Sequence, residues 1–238
     1  MPAVKSPPTI VVCGTMSGLP RSPRRGVGSP SVAGAVPVTW LVAESELPMA
    51  TEILAALSGR HEIALQLPAA AFAARHKLRS VLARGREIIP AMTAVAIRDA
   101  EAVAHRELLV EEGIRAVLVD ALPAAGRGSR RPAPNGWRCR NTTWGLWEIE
   151  LAAARRQGPL SLLGLGSVPR VPQGGLGVLA TDGWSDSGSF HPRLERLASW
   201  AGRLAARGRA RLLPLSGLVG HLAGEEEPAI AGSVLRAA

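Results

Sequence analysis

The stretch SGRHEIALQLPAAAFAARHKLRSVLAR, residues 58–84, sets a short aliphatic run beside a longer amphipathic one. EIALQ (62–66) has the length of a buried strand, whereas AAAFAARHKLRSVLAR (69–84) carries helical periodicity. A strand followed directly by a helix is one β/α unit, and the fold turns on whether that unit recurs.

It recurs in both directions. Toward the N-terminus, VTWLV (38–42) has the length and β-branched content of a buried strand, and PMATEILAAL (48–57) follows as a helix with Pro48 in its first turn. Toward the C-terminus, TAVAI (93–97) is a predicted strand, and residues 99–112 a helix that Asp99 can cap and Gly113 ends. AVLVD (116–120) is the next strand, and GLWEIEL (145–151) reads as an edge strand. GVLAT (177–181) is a strand, residues 191–207 a long amphipathic helix, ARLLPL (210–215) a strand and residues 216–223 a closing helix. This alternation implies an α/β fold of parallel strands joined by right-handed crossovers. Such strands close into a barrel or stay open as a doubly wound sheet, and either way function gathers at their C-terminal ends.

Residues 1–36 combine one apolar run, TIVVC (9–13), with SGLPRSPRRGVGSPSVAGA (17–35), which is rich in Gly, Pro, Ser and Arg and has no helical period. The expected organisation is a poorly structured segment with one short strand (1–36), a barrel-forming domain (37–223) and a tail (224–238). A hydrophobic content of 47% over 238 residues suffices for a sizeable core. No apolar run reaches the roughly 18–20 residues that cross a bilayer, and the apolar stretch near the start is too short for a signal peptide. A cytoplasmic protein without a membrane partner is therefore expected. Cys13 and Cys139 belong to no C-x-x-C or Cys/His cluster and are expected to be free thiols.

The formal charge is +9, with Lys5 and Lys77 the only lysines. This bias matches GC-rich coding and points first to a solvated surface. The densest patch, RGSRRPAPNGWRCR (127–140), sets arginines beside Trp137, an arrangement able to stack on a base or a sugar. No nucleic-acid-binding motif frames it, so nucleic acid is not an expected partner, although an Arg-rich anion or nucleic-acid binder stands as an alternative function.

VPVTWLVAESELPMATEILAALSGRHEIALQ (36–66) resembles the segment of polysaccharide deacetylases, the NodB-homology superfamily, that runs "vpaTwf.v", helix, "gHEIg.H". EEGIRAVLVD (111–120) is similar to that family's "klGi.avl.d" element. FHPRLERLASWAGRLAARGRARLLPLSGLVGHLA (190–223) is similar to its final helix, strand and helix. The resemblance implies a distorted (β/α) TIM-like barrel with fewer than eight regular strands.

It also implies a chemistry against which the residues can be compared. In the family a divalent metal held by one Asp and two His activates water to attack an acetyl carbonyl, with a second Asp as base. The Asp pair maps to IVVCGTMSG, where Cys13 to Thr15 supply no carboxylate. The two histidines map to Gln66 and Ala70, and a late histidine maps near Asp182. His61 lies at the strand entrance, the wrong end for a ligand. The helix that the family places after its first strand is replaced by residues 17–35.

The resemblance therefore implies a deacetylase-like pseudoenzyme, related to hydrolases of carbohydrate metabolism, that needs no metal or other cofactor. It would bind a carbohydrate or a protein partner at the strand C-terminal mouth, with Trp137, Trp184, Arg138 and Arg140 as candidate binding residues. In the alternative, an active carbohydrate deacetylase, Asp120, Asp182 and His191 would converge on a divalent metal such as zinc; glutamine is a poor zinc ligand.

Overall fold

The computed structural model describes residues 7–16, 36–55, 61–97, 104–119, 139–142, 145–153, 171, 174–182 and 192–223. Their hub is β1 (Thr9–Thr15), which pairs in parallel with β2 (Val38–Ala43) on one side and β9 (Leu176–Asp182) on the other. The apolar run near the N-terminus is thus part of the same sheet as residues 38 onward. From β2 the sheet continues through β3 (His61–Leu67), β4 (Ala94–Ile97), β5 (Ala116–Val119) and β7 (Trp147–Glu150), each parallel to the last. β6 (Cys139–Asn141) pairs antiparallel with β7, so GLWEIEL is covered on the side where an edge was expected. The sequence of β6, set in an Arg/Pro/Gly-rich stretch, gives no strand signal.

Immediately after β7 the chain crosses the fold. Leu151 still donates its N–H to Val119, yet β8 (Ala152–Ala153) already pairs with Leu179 and Ala180 of β9. Segment 147–153 therefore reaches strands at both ends of the series, which requires strong curling. The result is a mixed α/β fold built on a curled, mostly parallel half-barrel. The α/β class and the mostly parallel strands agree with the expected distorted TIM-like barrel, but the sheet is a half-barrel and not a closed barrel.

The helices follow from strand order. Consecutive parallel strands with right-handed crossovers put every crossover helix on one face. α1 (Leu47–Ala55), α2 (Arg75–Ile88), α3 (Arg106–Glu111) and α4 (Pro192–Ala206) bury Leu47, Leu78, Leu82, Leu108, Leu194 and Ala198 against Ile10, Val12, Trp40, Leu65, Val95 and Val117. Trp40 is fully buried and lies over Gly14, where a Cβ would come within 2.9 Å of the indole. The opposite, inner face is lined by Val11, Cys13, Leu41, Ala64, Ala94, Ala96, Ala116 and Leu118. Ala64, Ala94 and Ala116 share one register row, and small side chains there admit a helix inside the curl. That helix is α5 (Leu215–Ala223), which buries Leu215, Leu218 and Val219.

Three elements differ in extent from the sequence expectation. Residues 69–84 are not one helix: a 3-10 turn (Ala69–Ala73) ends at Ala74, whose extended backbone (φ −158°) precedes α2. α3 starts at Arg106 behind His105 in the left-handed region, without a side-chain cap, and Asp99 lies outside the described residues. ARLLPL contributes only β10 (Arg211–Leu212), which pairs with Thr9 and Ile10 before Leu215 opens α5. Gly113 does end α3: with φ +70° it donates to Val110 while Ile114 donates to Leu109, closing the helix carbonyls in a left-handed cap. Among the described residues no helix is long and apolar enough to cross a membrane.

Candidate functional site

Side chains alternate faces along a strand, so the inner-face positions nearest the C-terminal ends follow from the core. On β1 these are Cys13 and Thr15, on β2 Leu41 and Ala43, on β3 Gln66, and on β4 Ala96. The Thr15 hydroxyl is buried and finds no hydrogen-bond partner among the described residues. Gln66 stands half-buried between Ala43 and Ala96, its register partners on the flanking strands. Its flanking neighbours are methyl-sized, and its carboxamide can both donate and accept hydrogen bonds. Thr15 and Gln66 are separated by β2, about 10 Å of sheet at the usual strand spacing.

The other expected positions are dispersed. Ala70 lies exposed in the 3-10 turn after β3. Asp182 ends β9 in register with Thr15, three strands from Gln66, or roughly 14 Å. Asp120, His191, Trp137, Arg138 and Trp184 lie outside the described residues. No group of three or more His, Cys, Asp and Glu able to hold a metal occurs among the described residues. No protein-family model, curated protein or solved structure matches this chain.

His61 begins β3, five residues before Gln66, or about 17 Å along the strand. Its ring meets Trp40 edge-on at 6.1 Å, and both ring nitrogens are buried without a well-formed hydrogen bond. Burial pulls its pKa below the usual 6.5, and the polar Val38 backbone offsets part of that shift. It is a neutral packing residue at the N-terminal end of β3.

The next residue does something the sequence did not announce. Glu62 faces inward beside Thr39, accepts hydrogen bonds from the Thr39 hydroxyl and the Leu215 N–H, and holds the Ser216 N–H at 3.2 Å through Oε2. The Leu215 N–H also reaches Thr39 Oγ1 at 3.2 Å. A carboxylate thus occupies the N-terminus of α5, where free N–H groups and the helix dipole favour negative charge. The available sequence signal was parity: Glu62 shares a strand face with Ala64 and Gln66.

Arg140 has a structural partner. Its Nε and a terminal nitrogen each lie 2.5 Å from Glu148 Oε2, while Arg106 Nε lies 2.6 Å from Oε1. The Glu148 side chain is 2% exposed, and two guanidinium groups compensate its buried charge. Cys13 and Cys139 are buried on the inner face; burial, with a smaller contribution from Glu62, raises the Cys13 pKa, and burial pushes Cys139 up to about 12. Neither thiol is a nucleophile in the folded chain at neutral pH.

Proposed function

We propose that this chain is a deacetylase-like half-barrel that has given up the metal-dependent reaction and binds a carbohydrate at the C-terminal mouth of its sheet. The observation that carries this reading is the Thr39–Glu62–Leu215 network. The three segments that resemble the deacetylases at VTW, HEI and the closing helix meet at one hydrogen-bonded point, so their likeness has a common structural reason. At the opposite end of β3, the position corresponding to a metal-binding histidine holds Gln66, whose amide suits sugar hydroxyl and N-acetyl groups better than a cation. Its register partners, Ala43 and Ala96, set only methyl side chains beside it.

The test is titration of the full chain with a chitooligosaccharide, read by calorimetry and by release of acetate. Binding without acetate release, weakened by Gln66→Ala, is expected. Acetate release that persists in a metal-supplemented sample and disappears with chelator would overturn the reading in favour of an active deacetylase.

A further inference from the structure

The positive charge is distributed unevenly over the outer helices. On α2, Arg75, Arg79 and Arg86 are ion-paired with Glu107, Glu111 and Glu112 on and just after α3. That face is neutralised. Residues 192–212, covering α4 and β10, hold six arginines and a single glutamate, Glu195. Arg193, Arg196, Arg203, Arg207, Arg209 and Arg211 are all exposed, and Arg203, Arg207 and Arg209 have no carboxylate partner among the described residues.

Helical geometry turns the first three into a row, which Arg207 continues just past the last residue of α4. At 100° per residue, positions 193, 196 and 203 fall within an arc of about 80° and span about 15 Å. The buried side of α4, Leu194, Leu197, Ala198 and Ala201, is turned to the sheet and anchors the row rigidly. We infer that this row binds the phosphate backbone of double-stranded nucleic acid. Guanidinium groups pair with phosphate oxygens in a bidentate fork, and a rigid line of them matches a regular line of phosphates. Single-strand binding calls for exposed aromatics, but Trp200, on the same arc, is packed against the core. An interfacial membrane helix calls for an apolar face free to insert, and here that face is committed to the sheet. Contacts limited to phosphates make the binding independent of sequence. The surface is on the outside of the fold and does not depend on what occupies the mouth.

The experiment uses the full chain and a short labelled DNA duplex of mixed sequence, with anisotropy followed between about 50 and 200 mM salt. Two triple variants lower the charge equally: Arg203→Gln, Arg207→Gln, Arg209→Gln at the C-terminal end of the row and just past it, and Arg75→Gln, Arg79→Gln, Arg86→Gln on the neutralised face. The first is expected to weaken binding at least tenfold and to reduce the logarithmic salt slope by roughly 2 to 3, the second to change affinity less than about threefold. Lysine replacements at 203, 207 and 209 should retain the slope, and Arg207→Gln alone should lower it by about one, so the inference remains testable if the first triple folds poorly. Equal losses from the two triples would overturn it, as would a wild-type chain that binds phosphatidylglycerol vesicles or heparin but not the duplex.

Discussion

The Thr39 hydroxyl donates a 2.5 Å hydrogen bond to Glu62 Oε1, joining β2 to β3 directly beneath the N-terminus of α5. Thr39 is fully buried, so its hydroxyl needs that acceptor, and the carboxylate needs the helix N–H groups. Each member of the network satisfies another, which fixes α5 inside the curl.

Glu62→Ala is accordingly expected to destabilise the chain by about 2 to 3 kcal/mol, the scale for hydrogen bonds to a charged group together with a lost helix cap. Thr39→Val should cost about 1 kcal/mol alone and less in the Glu62→Ala background, because its acceptor is already gone. Urea denaturation of the two single variants and the double variant measures the coupling. Strict additivity would mean that the two groups act independently.

His61 gives a pH dependence of definite sign. Its folded pKa is lowered by burial, so protonation is harder in the folded than in the unfolded chain. The stability linked to the neutral ring is fully present above the unfolded value of about 6.5 and is lost as pH falls through the lower folded value. The melting temperature should fall on acidification from pH 7 toward 5 more steeply in the wild type than in His61→Phe, which keeps an aromatic ring beside Trp40. Parallel curves would contradict this assignment.

Glu148 is the most buried acid described, and removing it strands two guanidinium groups at one point. Glu148→Gln should cost on the order of 3 kcal/mol, the lower end for breaking a buried pair, because Arg106 and Arg140 keep partial solvent contact. A loss in chemical denaturation no larger than that of an exposed pair such as Arg75–Glu107 would show that the site is solvated.

The two thiols provide a probe of the inner face. With Cys13 and Cys139 buried and their pKa values raised, neither should react with a disulfide reagent at pH 8 in the native chain, and both should react after unfolding. Fast reaction of one thiol under native conditions would mean that the sheet opens locally around it.

The strands were legible because they are short, apolar and evenly interrupted: β3, β4 and β5 fall on the runs EIALQ, TAVAI and AVLVD. Curvature was not legible, since it depends on one segment, 147–153, pairing with β5 and then β9, and no local pattern encodes contacts between distant strands. The break at Ala74 has no sequence signal, because alanine favours the helix that the chain interrupts there. Gln66 could be placed from sequence by counting along the strand, whereas Leu215 and Arg106, partners of Glu62 and Glu148, come from 153 and 42 residues away and carry no short-range signal. His61 was placed correctly at the entrance of β3, where its ring meets Trp40.

The most direct test of the central claim is the zinc stoichiometry of the full chain after dialysis against zinc and removal of the excess, measured by elemental analysis. With Gln66 and Ala70 where the proposed relationship would put two histidines, and no carboxylate at 13–15, the account predicts far less than one zinc per chain. One tightly held zinc per chain, retained against a weak chelator, would contradict it.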